Sequence, residues 1–333
     1  MKAAAVYEPK PIESSPLKLI ELDVPIPNRG EILVRVLACG VCRTDLHVSE
    51  GDLPPRHPRI VPGHEVVGVV ERCGPQANRF KPGERVGIAW LRETCGVCLY
   101  CRRGSENLCP HARFTGYDHD GGYAEYAVVR EDFAYHLPQQ LGIEESAPLL
   151  CAGIIGYRAL KRAGVKPNTT VGLYGFGGSA HISLQVARYW GCNVFVMTRG
   201  GKHREHAKEL GADWVGTAQE RPPRLLDSAI LYAPAGNLVL PALEALDQGG
   251  ILAVAGIYLS PIPPLDYERH LFHEKELRSV TANTRADGEE FLELAAKIPI
   301  RTTTIAFGLD QANQALQMLK HDELKGAGVL RIG

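Results

Sequence analysis

The stretch Thr170-Val171-Gly172-Leu173-Tyr174-Gly175-Phe176-Gly177-Gly178-Ser179-Ala180 decides the fold. Its first five residues have a buried-strand pattern, and the rest form a G-x-G-x-x-A turn that runs into helix-forming residues from His181 to Tyr189. A second apolar run, Asn193-Val194-Phe195-Val196-Met197, follows about 20 residues on, as a βαβ unit requires. Together they make a dinucleotide fingerprint with Ala180 in the third glycine's place, a substitution the pattern tolerates. The glycines let backbone approach a pyrophosphate, and the helix amino terminus supplies amides and a positive dipole end. Gly175, Phe176, Gly177, Gly178 and Ser179 are therefore candidate cofactor-binding residues.

The tip of the second strand addresses which cofactor. An NAD-preferring site places an acidic residue there for the adenosine ribose hydroxyls, whereas this chain has Thr198-Arg199-Gly200-Gly201. A hydroxyl, a guanidinium and two glycine amides suit a 2'-phosphate, because arginine offers a charge-assisted, bidentate contact. NADP is expected over NAD, with Thr198 and Arg199 as its contacts; the alternative is that Arg199 is a solvated surface charge.

Outward from this unit the alternation continues through helix 203–210, strand 228–232, helix 238–246 and strand 250–256, ending near Leu277–Val280. A six-strand, doubly wound parallel sheet over residues 152–280 is expected, an α/β arrangement. Before it, residues 1 to 90 read as β-rich: runs such as Ile32–Leu37, Glu65–Glu71 and Arg85–Trp90 are separated by turns rich in proline. They suggest a partly open β-barrel of short strands. After the sheet, a helix at 288–297, a strand near 303–307, a helix at 310–320 and a strand at 328–332 return the chain to that first lobe.

Cys95, Cys98, Cys101 and Cys109 follow the barrel strands with spacing C-x2-C-x2-C-x7-C. Four thiolates so close together close a tetrahedral shell around zinc and leave no slot for water, so the site is structural. An iron–sulfur cluster is the other reading, but a ferredoxin-like run needs a Cys-Pro ending after x3. Cys39 and Cys42 make a further C-x2-C pair with no second pair to complete it, and Cys39, Cys73 and Cys192 read as small buried residues.

Gly40-Val41-Cys42-Arg43-Thr44-Asp45-Leu46-His47 packs a thiol, a hydroxyl, a carboxylate and an imidazole together. Alone it could be a structural loop. A fold that gathers His64 and Cys151 with Cys42 would make a Cys2His site with one open position, the way catalytic zinc is held.

The net charge of -1, from 37 basic and 38 acidic residues, carries no footprint for nucleic acid or an anionic membrane. No window approaches about 18 consecutive apolar residues, so no membrane span is expected. Met1–Tyr7 runs into Glu8-Pro9-Lys10 without a signal peptide's apolar core, and the 9 cysteines cannot all pair. A cytoplasmic location with reduced thiols is expected.

These segments, in order, resemble the medium-chain zinc-dependent alcohol dehydrogenase family over essentially the whole chain. The motifs are GVCRTDLH at 40–47, PGHE at 62–65, the four-cysteine lobe, DGGYAEY at 120–126, PLLCAG at 148–153 and GFGGSA at 175–180. The resemblance implies a GroES-like catalytic domain over 1–151, with a zinc lobe at about 91–112, a Rossmann domain over 152–280 inserted in it, and a return over 281–333. It implies that Cys42, His64 and Cys151 hold catalytic zinc, that Glu65 can enter as a fourth ligand, and that Asp45 buttresses a ligating histidine. It also implies two zinc ions per chain, a proton path from substrate through Thr44 and the nicotinamide ribose to His47, Arg43 on the pyrophosphate, and Trp90 in the substrate pocket. A homodimer or homotetramer acting on an alcohol or aldehyde is the expected form.

Departures from the family pattern shape the expectations. Ile155 stands where relatives often carry threonine, and Ala327 where many carry an arginine on the pyrophosphate. Ser49 and Leu53 are smaller than the tryptophans of ethanol-preferring relatives, which suggests a roomier pocket for larger or aromatic alcohols. Two other readings remain open: a metal-free quinone or enone reductase of the wider superfamily, against which the ligand set argues, and a nucleotide-sensing protein without turnover.

Overall fold

The computed structural model describes residues 1–333, which divide into two compact units. The first contains Met1–Cys151, Ala282–Lys297 and Arg301–Gly333; the second contains Ala152–Thr281 with Ile298–Ile300. No helix is long and apolar enough to cross a membrane.

The second unit carries a six-stranded, all-parallel sheet. Its spatial order is Trp214–Gly216, Asn193–Met197, Thr170–Tyr174, Leu226–Leu231, Leu246–Val254 and Glu276–Ser279. That is the order of the doubly wound dinucleotide fold, in which the first strand is central and the chain reverses direction beside it. Val171 and Leu173 are wholly buried, as a strand covered on both faces requires. Gly175 turns the chain at φ +88°, where a Cβ would also lie 2.8 Å from the Ala233 amide.

Several boundaries differ from the sequence expectation. The helix after the turn begins at Gly178, with Gly177 as its N-cap, because a glycine turn costs a helix start nothing. The expected helix 238–246 is a short helix, Val239–Glu244, and Leu246 already opens the next strand. Trp214–Gly216 escapes a reading by periodicity because three residues carry no period.

In the first unit a seven-stranded path runs Thr304–Gly308, Ala327–Arg331, Glu31–Val41, Glu65–Cys73, Arg85–Ile88 and Ala134–His136, with Tyr126–Arg130 also on Glu31–Val41. The strand Glu31–Val41 is the hub, and its register against Glu65–Cys73 shifts at Leu33/Val34 and at Val36/Ala38. Such bulges bend a strand and raise its twist, which curves this sheet around its core. That core includes Ile32, Val34, Val36, Val66, Val70 and Tyr123.

The hub strand also delivers the site. Gly40 pairs with Glu65, and a Cβ on Gly40 would fall 1.8 Å from Glu65 Oε2, so only glycine lets that carboxyl lie over the strand. The chain then enters a helix, Arg43–Glu50, that the sequence alone leaves open. Cys42 is its N-cap, and Asp45 Oδ2 accepts the Cys42 amide at 2.9 Å, satisfying a donor that helix starts leave unpaired.

Candidate metal centre and cofactor turn

Cys42, His64, Glu65 and Cys151 converge in the first unit, with their ligand atoms all within 4.8 Å of one another. Cys42 Sγ and Cys151 Sγ are 3.8 Å apart. His64 is wholly buried, its Nδ1 lies 2.9 Å from Asp45 Oδ1, and its Nε2 has no protein partner. A buried ring nitrogen without a partner is costly unless something else occupies its lone pair. Two thiols, a carboxyl and that nitrogen are the donor set zinc takes.

The electrostatics agree. Burial opposes charge on the His64 ring, but the Asp45 carboxylate outweighs it and holds the imidazole pKa well above its usual value. The Cys151 hydrogen bond, supported by His64, draws Cys42 well below the usual thiol range. Burial and the adjacent Cys42 push the Glu65 carboxyl well up. So many titratable groups at one dry point need a cation to be ionised together.

Asp45 is the hub of the supporting layer. Besides the Cys42 amide and the His64 ring, it accepts from the Gly63 amide at 3.1 Å and from the Tyr123 hydroxyl at 3.3 Å. Tyr123 went unsingled in the sequence, although it sits inside the DGGYAEY run. Burial holds its phenol pKa well above normal, so it stays a donor.

Thr44 is buried, with its hydroxyl 3.9 Å from Cys42 Sγ. His47 lies on the same helix, half-buried, and its Nδ1 is 2.7 Å from Asp52 Oδ2, a partner that the sequence reading passed over. Arg43, the residue expected on a pyrophosphate, pairs with Asp322 at 2.8 Å. Both side chains are exposed, so this pair is readily exchanged.

Trp90 meets the edge of the His64 ring at 5.1 Å between centroids. Phe114 and Tyr117, which the sequence reading did not pick out, stack on Trp90 at 4.9 and 6.1 Å. Leu53 lines a small cavity of about 10 Å³ with Val48, His57 and Tyr117. Ser49 is fully buried and donates to the Asp45 carbonyl at 2.7 Å, so it faces its own helix.

Cys95, Cys98, Cys101 and Cys109 gather as the spacing suggests. Cys95 Sγ lies 3.6 Å from Cys109 and 4.0 Å from Cys101, and Cys98 lies 3.5 Å from Cys101. Backbone amides of Val97 and Cys98 bring the Cys95 thiol down to about 6, and burial pushes Cys109 up to about 11. Amides aimed at sulfur favour thiolate, the form that binds metal.

In the second unit Gly177 and Gly178 leave room for a ligand. A Cβ on Gly177 would meet nothing within 4 Å, and one on Gly178 only Ala152 at 3.5 Å. Phe176 is 3% exposed, under the His181 ring at 4.5 Å, so only its backbone is offered. Thr198 is buried with its amide on the Gly216 carbonyl at 2.9 Å, whereas Arg199 is exposed at the start of the Gly201–Glu209 helix.

The comparisons with known proteins fit this geometry. Residues 28–139 match the alcohol dehydrogenase GroES-like domain, and residues 178–297 match the zinc-binding dehydrogenase domain. A probable alcohol dehydrogenase of Mycobacterium tuberculosis is 56% identical, over 100% of this chain and 97% of that one. An alcohol dehydrogenase of Geobacillus stearothermophilus is 37% identical over 100% of both chains. Among solved structures, a cinnamyl alcohol dehydrogenase of Sorghum bicolor superposes with TM-score 0.88 at 28% identity, covering 99% of this chain and 98% of that one. The chain belongs to the medium-chain zinc-dependent alcohol dehydrogenase family. It is a zinc-dependent oxidoreductase whose substrates are small-molecule alcohols or aldehydes.

Proposed function

We propose that this alcohol dehydrogenase works with NADP in preference to NAD, on primary alcohols and aldehydes that include larger and aromatic ones. The orphaned Nε2 of His64, buried beside Cys42, Cys151 and Glu65, carries the zinc assignment. With the second four-cysteine cluster, the reading is two zinc ions per chain, one catalytic and one structural. Residues 1–151 with 281–333 act as the catalytic domain and 152–280 as the dinucleotide domain.

Cys42, His64 and Cys151 would hold zinc, which would supply a Lewis acid that makes a substrate hydroxyl acidic near neutral pH. The chain's own groups then handle the proton. Thr44 Oγ1, on the first turn of its helix, takes it from the substrate, and His47 releases it to solvent while Asp52 orients its ring. Histidine suits that outlet because its ordinary pKa lies near neutrality. Asp45 keeps the proton of His64 on Nδ1 and so leaves Nε2 to the metal. Backbone amides at Gly177 and Gly178 would cradle the pyrophosphate, and Arg199 would hold the 2'-phosphate.

The aromatic preference rests on Leu53 and on the Trp90–Phe114–Tyr117 stack, whose ring faces suit a planar substrate. The edge strand Glu276–Ser279 and the exposed Tyr258, Tyr267 and Phe272 support assembly as a homodimer or homotetramer. A panel of aldehydes assayed with NADPH and NADH in parallel, on enzyme of measured zinc content, tests the reading. Faster turnover per KM with NADPH and with benzaldehyde than with acetaldehyde is expected; a preference for NADH and acetaldehyde overturns it.

A further inference from the structure

Asp118 has a side chain only 1% exposed, yet it faces two guanidiniums. Its Oδ1 accepts Arg56 Nη1 at 2.5 Å and lies 3.3 Å from Arg113 Nη1, while Oδ2 accepts the Phe114 amide at 2.8 Å. The carbonyl of Asp118 sits 2.9 Å from His57 Nε2. One residue earlier, the Tyr117 hydroxyl donates to the Pro54 carbonyl at 2.8 Å, and the Arg56 guanidinium lies 4.6 Å over the Tyr117 ring. The Arg56, His57 and Pro54 contacts join the otherwise exposed segment 54–57 to the turn at 114–118, while the Arg113 and Phe114 contacts fix Asp118 within that turn.

That turn supports the aromatic stack. Phe114 and Tyr117 lie face to face with Trp90, and Trp90 packs against the metal-binding ring of His64. On the other side the segment begins at Leu53, whose side chain shares a cavity with Tyr117. Pro54 and Pro55 have fixed φ angles, so the segment moves as a stiff strap rather than residue by residue. If the strap lifts, Leu53 and Tyr117 separate.

We infer that Arg56 and Asp118 form a specificity-determining clamp: positioning residues that hold the 53–57 strap against the Trp90–Tyr117 stack and so set the width of the alcohol pocket. Neither touches substrate; both act through Leu53 and Tyr117. This inference rests on the reading that Trp90 lines the substrate pocket. A surface ion pair with no such role would be near-neutral, but here the carboxylate is buried and the guanidinium also stacks on a ring, which ties charge and shape together. Arg56 is the better side to cut. Asp118 then keeps Arg113 and the Phe114 amide, so no buried charge is stranded.

The test compares Arg56→Ala, Arg56→Lys and Trp90→Ala with the parent zinc-loaded enzyme, measuring kcat and KM separately for ethanol and benzyl alcohol. Arg56→Ala is expected to raise the ethanol KM about tenfold with kcat within about twofold, and to shift the ratio of specificity constants toward benzyl alcohol by about fivefold or more. Arg56→Lys keeps the charge but not the planar contact on Tyr117, and falls between. A parallel change for both alcohols, or a lowered Tm with kinetics unchanged, means a merely structural pair and overturns the clamp. If Trp90→Ala changes the preference and Arg56→Ala does not, the clamp alone falls. If neither changes it, the pocket reading falls, and the clamp with it.

Discussion

Asp45 Oδ1 lies 2.9 Å from His64 Nδ1, and the two side chains are 3% and 1% exposed. In so dry a place the carboxylate does more than orient the ring: it decides which nitrogen carries the proton and raises the basicity of the one left for zinc. Asp45→Asn keeps the shape but must turn an amide NH2 toward donors from Cys42, Gly63, His64 or Tyr123. Zinc affinity at this site is expected to fall about 10- to 100-fold. Competition with a chelator measures it, and kcat/KM should recover partly when zinc is added in excess. Unchanged zinc retention would show that the carboxylate is a helix cap and nothing more.

The four-cysteine lobe makes a separable prediction. Cys101→Ser replaces a thiolate that lies 3.5 Å from Cys98 and 4.0 Å from Cys95 with a poor zinc ligand. The lobe has no slot for a substrate, so the loss should fall on stability. One zinc per chain should be lost, Tm should drop by about 10 °C or more, and protease should cut near the exposed Val97 and Leu99. The fraction still folded should keep kcat within about threefold. A kcat loss that outruns the loss of folded protein would assign this lobe a part in catalysis.

How far the sequence could be read follows from how far apart the partners are. Cys95, Cys98 and Cys101 announce themselves because their spacing is the coordination geometry, and Gly175–Ala180 because strand, turn and helix are contiguous. Cys42, His64 and Cys151 needed a family resemblance to connect, since no local period links residues 109 positions apart. Tyr123 and Asp118 were legible in neither way. Tyr123 reaches Asp45 across 78 positions and Asp118 meets Arg56 across 62, and their residue types are ordinary for a turn or a core. Ser49 shows the opposite failure: its position suggested a pocket wall, but its hydroxyl turns back onto the helix, as serine within a helix commonly does.

Cofactor choice is tested at one exposed side chain. Arg199 follows the strand Asn193–Met197 and precedes the Gly201–Glu209 helix, where a 2'-phosphate would meet both a guanidinium and helix-terminal amides. A charge-assisted hydrogen bond contributes about 1.5–3 kcal/mol, so Arg199→Ala is expected to raise the NADPH KM by about 10- to 100-fold. The NADH KM should stay within about twofold, because the adenosine hydroxyls lose no charge partner. Equal losses with both cofactors would make Arg199 a general contact, and no loss with either would make it a solvated surface charge.

The helix after the glycine turn should make stability depend on pH. His181 packs between the tilted Phe176 ring at 4.5 Å and the edge-on His206 ring at 4.6 Å, and burial, helped by the charges of His206 and His203, brings its pKa down to about 4. Its ordinary value is about 6.5, so between these two values the unfolded chain binds a proton that the folded chain refuses. Stability is therefore fully present above about pH 6.5, falls as the pH drops through the window, and levels off below about 4. The shift corresponds to about 3–4 kcal/mol at most, part of it screened where the ring meets solvent. Urea unfolding at pH 7.5 and 5 checks this. His181→Gln keeps a polar group for the Phe176 carbonyl, 3.2 Å from Nε2 in the parent, but cannot titrate. It should be less sensitive to acid than the parent by about 1–2 kcal/mol over that interval. An identical pH profile for both proteins would show that His181 contributes nothing to the acid sensitivity.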